Sequence, residues 1–348
     1  MNNKVLLGMS GGVDSSVSAI LLKEKGYEVI GTSLELIENL NNTNTFSDAK
    51  KICGNLNIKH YVFDYKKEFK RHVIDNFITC YANCKTPNPC IECNSYMKFG
   101  VMWAKAKELE CKYLATGHYA KTEYSEKYNR WVLKKSANEA KDQSYVLWSI
   151  PKEIIEHLIF PLADFKNKEE IRKIAENKGL EVANKPDSED ICFIPDGNYK
   201  SFLETNSNIN PKPGNIVNTK GEILGKHTGL YNYTIGQRKG LGISNSVPLF
   251  VLGFNKEKNE VIVGEEKELY KKELIVSNIN LLLVDDIKDW LDVTVKTRYS
   301  AKVAKAKIIK QEDKIKVIFD EPQRAITPGQ SAVFYIDDIV LGGGIIEC

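Results

Sequence analysis

Residues 4–22 read KVLLGMSGGVDSSVSAILL, and this stretch decides the fold. Val5–Leu7 is a short, bounded apolar run, as a buried strand should be. Gly8, Gly11 and Gly12 follow within five residues, interleaved with Ser10, Asp14, Ser15 and Ser16. From Val13 the apolar positions Val17, Ile20 and Leu21 recur at helical spacing. Strand, glycine-rich loop and helix start make an anion site, because free backbone N–H groups and the helix dipole both favour negative charge there. Glycine lets the backbone approach a phosphate without a Cβ in the way. The string matches neither the Walker pattern nor the dinucleotide fingerprint. A plain Gly/Ser turn is the alternative, and the whole string at the first strand outweighs it. Asp14 and Ser15 sit at the mouth of this loop, where they are expected to serve a ligand and not the core.

Outward from it, strands and helices alternate. Tyr27–Leu34 reads as a second strand, Ser47–Leu56 as a helix and Lys59–Phe63 as a third strand. Glu68–Cys80 and Asn94–Leu109 read as helices, with a strand at Lys112–Thr116 after them. Strands separated by helix-length crossovers predict an α/β fold with a doubly wound parallel sheet. Ligands of such sheets collect at the carboxyl ends of the strands. The Gly8–Ser15 loop, Leu34 and Thr116-Gly117-His118 should therefore converge, with a nucleotide base near the last two.

Tyr119–Lys135 reads as an excursion or hairpin, and helices are expected near Pro151–Leu158 and Lys168–Lys178. The α/β character fades after about Ser201, and Pro211–Gly214 opens a Gly- and Thr-rich, strand-punctuated segment. From Leu274 onward short strands follow at Leu291–Tyr299, Ala301–Ile309, Ile315–Phe319 and Ala332–Ile336, which predicts a small β-barrel. The expected division is thus 1–200, 201–273 and 274–348.

The 348 residues suit two or three domains, and 27% charged with 42% hydrophobic residues is the composition of a soluble globular protein. No apolar run reaches membrane-spanning length and the first strand begins at once, so a cytoplasmic protein is expected. A net charge of +3 is too small to argue for nucleic acid by itself. The eight cysteines (53, 80, 84, 90, 93, 111, 192 and 348) argue for thiol chemistry or metal ligation over a disulfide framework.

Cys84-Lys-Thr-Pro-Asn-Pro-Cys90-Ile-Glu-Cys93-Asn94 is the second informative stretch. Its prolines keep it out of helix, and Asn94 can cap the helix that follows. Cys93 is then expected at a helix N-terminus, where the dipole favours its thiolate. A zinc knuckle is the alternative, but the second CxxC that a structural zinc site usually needs is missing. Cys192 lies in Pro186-Asp-Ser-Glu-Asp-Ile-Cys-Phe-Ile-Pro195, a polar loop around an apolar knot. Cys53 and Cys111 fall within regular elements and read as small core residues.

SGGVDSS resembles the pyrophosphate loop of the ATP pyrophosphatases, whose fold is adenine nucleotide alpha-hydrolase-like. Gly8–Ser15, Asn88–Cys93 with Lys98-Phe99, Ala115–His118, Lys141–Gln143, Asp187–Ile194, Thr234–Leu241 and Thr327–Gln330 together resemble the ordered motifs of the bacterial tRNA-specific 2-thiouridylases. The resemblance implies a catalytic α/β domain, a small central domain and a C-terminal β-barrel that helps grip tRNA. It implies an ATP-dependent transferase that adenylates O2 of the wobble uridine and replaces that oxygen with sulfur, releasing AMP and pyrophosphate. ATP with Mg2+, the tRNA anticodon stem-loop, and a cysteine desulfurase or sulfur-carrier protein are the implied cofactor and partners.

On this resemblance Gly8, Met9, Ser10, Gly11, Gly12, Val13, Asp14, Ser15, Leu34 and Gly117 are ATP contacts. Cys93 resembles the nucleophile and Cys192 the persulfide-bearing cysteine, the two ending as a disulfide. Asn88, Pro89 and Cys90 resemble the segment against the target base. His118, Lys141, Asp142, Gln143, Arg298, Tyr299 and Gln330 resemble tRNA contacts. The family pattern commonly has Asp where this chain has Cys90, so Cys90, Cys93 and Cys192 also stand as three candidate ligands of an iron–sulfur cluster. Another adenylating ATP pyrophosphatase, or a non-enzymatic RNA- or metal-binding protein, is the rival reading. Lys296–Lys310 carries six Lys/Arg and no acids, alternating as one charged strand face would, with Tyr299 available to stack. Arg238-Lys239 offers a further phosphate contact.

Overall fold

A computed structural model describes residues 2–37, 44–185, 191–207, 209 and 211–347. Asp187–Asp190 of the Asp187–Ile194 motif, and Cys348, lie outside the described residues.

Val5, Leu6 and Leu7 are fully buried, so the strand they form, β1 (Lys4–Gly8), needs cover on both faces. Leu6 faces one apolar core, while Val5 and Leu7 face another, as side-chain alternation requires. β2 (Glu28–Glu35) and β3 (Lys59–Asp64) lie on one side of β1, and β4 (Tyr113–Ala115) on the other. The pairings are parallel, with Gly8 opposite Thr32 and Leu7 opposite Ala115. The order reverses at β1, so a crevice opens at the carboxyl ends of β1 and β4. The helix Val13–Glu24 starts there, with Gly12 in extended backbone as its N-cap.

Two long helices cover the thiol side of this domain. One runs through Lys66–Phe69, a π-helical Lys70–Ile74 and Asp75–Ala82. The other runs through Pro89–Glu92, a π-helical Cys93–Val101 and Met102–Glu108. It therefore begins five residues before the expected Asn94, because Pro89 fits the first turn and Asn88 caps it.

The excursion is a hairpin, β5 (Ala120–Ser125) with β6 (Arg130–Lys135). β7 (Leu158–Ile159) then completes the parallel sheet beside β4. The central domain is a four-stranded sheet of β8 (Gly214–Asn218), β9 (Ile223–His227), β10 (Phe250–Asn255) and β11 (Glu260–Gly264), in the order β10-β11-β8-β9. The last part is β12 (Tyr270–Leu281), β13 (Leu291–Lys296), β14 (Ala304–Gln311), β15 (Lys314–Arg324), β16 (Ser331–Ile336) and β17 (Ile339–Ile346). These form the order β12-β15-β14-β13-β16-β17, and β12 pairs with β17 to close the barrel. Val295, Ile308, Val317, Phe319 and Phe334 pack in its core.

The barrel is not a loose appendage. Lys134 of β6 pairs with Ile339 of β17. Asn280 donates to the carbonyls of Trp148 (2.8 Å) and Ile150 (2.9 Å). Leu282, Val333, Tyr335 and Val340 share one core with Leu147 and Trp148.

Candidate functional site

The anion loop is built as its residues demand. Gly11 has φ of 72°, a conformation glycine adopts without strain. The Ser15 hydroxyl donates to the Gly12 carbonyl at 3.1 Å and accepts from the Ser10 amide at 3.3 Å. Met9 is tied to β2: its amide donates to the Thr32 carbonyl at 2.7 Å, and the Ser33 hydroxyl donates to its carbonyl at 2.6 Å. Gly117 meets the loop from β4. A Cβ there would lie 3.0 Å from the Ser15 nitrogen and 3.2 Å from the Asp14 Cβ. Leu34, at the end of β2, is half-buried between two cores. Gly117 thus abuts the loop, and Leu34 lies two residues past Thr32, the partner of Gly8.

Ser15 is buried, and its hydroxyl is engaged within the turn. Asp14 is also more than a ligand group. Its carboxylate accepts from Lys168 Nζ at 2.6 and 2.7 Å and from the Tyr119 hydroxyl at 2.8 Å. The Lys168 side chain is only 11% exposed, so its charge is partly desolvated and needs that partner. Sequence reasoning missed Lys168 and Tyr119. Lys168 starts the helix Lys168–Asn177, and nothing local to it marks a contact 154 residues away.

The thiols lie one layer further. Cys90 is exposed and Cys93 buried, three residues apart in one helical stretch, so they share a face. Asn88 is occupied as the cap, accepting from the Cys90 amide at 3.1 Å. The expected thiolate at a helix start is not what forms. Cys93 comes after a full helical turn, and burial pushes its thiol up, with Lys98 opposing and Cys90 adding to the rise. Cys192 touches solvent but is hemmed in by protein, and its thiol is pushed up to about 12, first by desolvation and then by Cys93 and Cys90. Phe193 and Ile194 anchor it in the same core as Cys93. The three thiols are therefore neighbours. Yet among the described residues no group of three His, Cys, Asp or Glu is placed to hold a metal ion. As placed, Cys90, Cys93 and Cys192 do not present three ligands to one metal ion.

Lys98 and His118 bridge the two loci. His118 is buried, and desolvation with the nearby Lys98 charge holds its pKa well below the ordinary value. Lys98 Nζ donates to Nε2 at 3.4 Å, and Nδ1 lies 2.7 Å from the Thr116 hydroxyl. The ring is thus neutral, protonated on Nδ1 and donating to Thr116.

The other expected RNA contacts divide. Asp142 is buried; its carboxylate accepts from the Ser136 and Ser144 amides and, at 2.7 Å, from the Ser144 hydroxyl. It shapes a turn. Lys141 is half-buried on that turn, its amide donating to the Asn138 side chain. Gln143 is zipped to the Tyr119 backbone in both directions, at 2.8 and 2.9 Å. Tyr299 is 41% exposed and feels the charges of Asp142, Lys141 and Cys90. Arg298 donates to the Ala325 carbonyl and, at 2.6 Å, to the Thr327 hydroxyl. Gln330 donates to the Thr86 carbonyl at 2.8 Å.

The basic stretch is not one face. Lys296 turns inward, over the rings of Tyr145 and Tyr299 at 5.9 and 5.3 Å. Lys307 and Lys310 pair with Asp292 and Asp286. Lys302 and Lys305 are exposed and make no ion pair among the described residues.

Three family models match the chain: a tRNA methyl transferase HUP domain over residues 3–196, a tRNA methyl transferase PRC-barrel domain over 200–265, and an aminomethyltransferase beta-barrel domain over 271–346. The tRNA-specific 2-thiouridylase MnmA of Clostridioides difficile is 46% identical over 100% of this chain and 99% of its own length. The protein of that name from Caldicellulosiruptor saccharolyticus is 48% identical over the same shares. Among solved structures, a 4-thiouridine synthetase–RNA complex with bound ATP aligns with a TM-score of 0.37 at 20% identity, covering 58% of this chain and 50% of that one. No helix among the described residues is long and apolar enough to cross a membrane.

Proposed function

The chain belongs to the tRNA-specific 2-thiouridylases, and from that premise we propose how its residues perform ATP-dependent thiolation of tRNA. The enzyme is a tRNA sulfurtransferase acting on the wobble uridine, in the cytoplasm where tRNA is found. We divide it into a catalytic part (1–200), a central part (201–273) and the barrel (274–348).

ATP binds the Gly8–Ser15 loop, with Leu34 and Gly117 beside the base and the phosphates at the start of Val13–Glu24. Gly117 fits this role, since a Cβ there would crowd the Asp14–Ser15 backbone. Were Mg2+ carried on the nucleotide's phosphates, Asp14 is the loop carboxylate that would hold it, exchanging part of its bond to Lys168, and the ion would neutralise charge on the leaving pyrophosphate. Lys168 offsets negative charge on departing pyrophosphate. O2 of the uridine attacks the α-phosphorus, pyrophosphate leaves, and a poor leaving group becomes AMP.

Cys192 then delivers sulfur. Its persulfide, loaded by a cysteine desulfurase or sulfur-carrier protein, attacks C2 and AMP departs. Cys93 attacks the Cys192 sulfur, the S–S bond to the new 2-thiouridine breaks, and a Cys93–Cys192 disulfide remains for external thiols to reduce. Lys98 is the cation that lowers the cost of each thiolate. The observation that supports this reading most is the chain Thr116–His118–Lys98, which joins the anion loop to the thiols.

The test is ATP–pyrophosphate exchange with and without tRNA, followed by mass spectrometry of digested tRNA. Exchange that needs tRNA and yields 2-thiouridine supports the assignment. Exchange without tRNA and without thiolation would point to another adenylating enzyme of the same superfamily.

A further inference from the structure

The barrel grips the thiol loop through a clasp of hydrogen bonds. The Thr86 amide donates to the Pro328 carbonyl at 2.9 Å. In return the Gln330 side chain donates to the carbonyls of Thr86 at 2.8 Å and Pro87 at 3.4 Å. Gly329, at φ of 88°, fits so closely that a Cβ would lie 2.9 Å from both the Lys85 Cβ and the Thr86 nitrogen. The turn holding Gln330 is itself fixed: Gly329 donates to the Ile346 carbonyl and Ile346 donates back to Gln330, at 3.0 and 2.8 Å. Thr327, in the same turn, is held by Arg298.

The segment from Pro87 to Cys93 is stiff. Pro87 and Pro89 have fixed φ, Asn88 between them caps the helix, and Cys90 and Cys93 sit in its first turns. A displacement of the Thr86-Pro87 backbone is therefore carried to Cys93. Without the Gln330 amide, two carbonyls of a proline-flanked loop lose their donor, and the loop has no ladder of its own to replace it.

We propose that Gln330 is a positioning residue for the reaction, holding the Cys93 thiol in place by tethering Thr86-Pro87 to the barrel. The proposal rests on the reading of Cys93 as the thiol that releases the product. It gives Gln330 work that does not require touching RNA, and it links Arg298, through Thr327, to the turn that carries the tether.

The test compares wild type with Gln330→Met, which keeps the bulk and removes the amide, and with Gly329→Ala, which wedges the clasp open. Iodoacetamide labelling of the free enzyme is followed by mass spectrometry, with fragment ions separating Cys93 from Cys90 and with Cys53 and Cys111 as buried controls. Both variants should label Cys93 several-fold faster while the controls hold, and kcat for thiolation should fall more than KM for tRNA rises. Wild-type labelling of Cys93 in both variants, or equal acceleration at Cys53 and Cys111, would overturn the tether. A raised KM with unchanged labelling would make Gln330 an RNA contact only. Faster Cys93 labelling with unchanged kcat would keep the tether and overturn the role given to Cys93.

Discussion

The ammonium of Lys98 stands 3.4 Å from Nε2 of His118, and the same ammonium lowers the cost of ionising both Cys93 and Cys192. One cation therefore bonds a histidine just past the end of β4 and acts electrostatically on the two thiols. Replacing it by methionine should raise both thiol pKa values further, since an opposing charge is lost. Labelling of Cys93 and Cys192 by iodoacetamide should slow at pH 8–9, and Lys98→Arg should restore most of it. Unchanged labelling in Lys98→Met would separate Lys98 from the thiols.

His118 gives a pH signature. Its folded pKa lies well below 6.5, so the unfolded chain takes up a proton that the folded protein refuses. Stability from this group is present above about pH 6.5 and is lost as pH falls below it, at up to ~1.4 kcal/mol per pH unit for one proton. His118→Gln should flatten that limb by about one proton. Urea midpoints measured from pH 7.5 to 5 check the slope; equal slopes in both proteins would mean that His118 titrates normally.

The sequence alone predicts that Asp14 serves ATP at no cost to folding, and its bond to Lys168 alters that expectation. Asp14→Asn leaves a largely buried ammonium with a neutral partner, and we expect a loss of roughly 1–3 kcal/mol, below the full buried-pair range because Asp14 is itself part-exposed. Adenylation should fall to background. Asp14→Asn with Lys168→Met should recover the stability but not the exchange reaction. A thermal melt beside ATP–pyrophosphate exchange reads both.

Lys302 and Lys305 carry what remains of the basic-face expectation, since Lys296 points inward and Lys307 and Lys310 are paired. Neutralising both should weaken tRNA binding and reduce the log–log salt slope by roughly one per lost phosphate contact. A slope equal to wild type would make the pair a solvated surface.

The fold was legible because its signals are local. The strand Val5–Leu7, the glycine loop and the helix that begins at Val13 needed only burial, φ freedom and periodicity. The closed barrel was legible as spaced strands, though not its first strand Tyr270–Leu281 nor its last, Ile339–Ile346, where three consecutive glycines hide the β pattern. What the sequence could not show is long-range pairing. Lys168 with Asp14, Gln330 with Thr86 and Lys98 with His118 join residues far apart in the chain, and no spacing rule reaches them. The start of the thiol helix was misplaced for a different reason: Asn88-Pro89 and Asn94 are both good caps, and the earlier one wins because Pro89 suits the first turn. That shift moves Cys93 inside the helix, where burial governs its pKa.

The two thiols should separate by role. Cys192 reaches solvent and stands where an external persulfide donor can approach, whereas Cys93 is buried behind it. Cys192→Ser should therefore carry no persulfide after incubation with a cysteine desulfurase and free cysteine. Cys93→Ser should load that persulfide normally and then fail to release thiolated tRNA, because no buried thiol attacks the Cys192 sulfur. Cys90 is exposed and adds only electrostatic pressure on the other two. Removing it should leave persulfide loading intact and make Cys93 slightly more acidic, so Cys90→Ser should retain a substantial share of activity. Persulfide-specific labelling with mass spectrometry, paired with 2-thiouridine analysis, reads all three variants. Wild-type thiolation by Cys93→Ser or Cys192→Ser would end the two-thiol mechanism. Loss of activity in Cys90→Ser together with loss of bound iron would instead revive a cluster held in an arrangement unlike the one seen here.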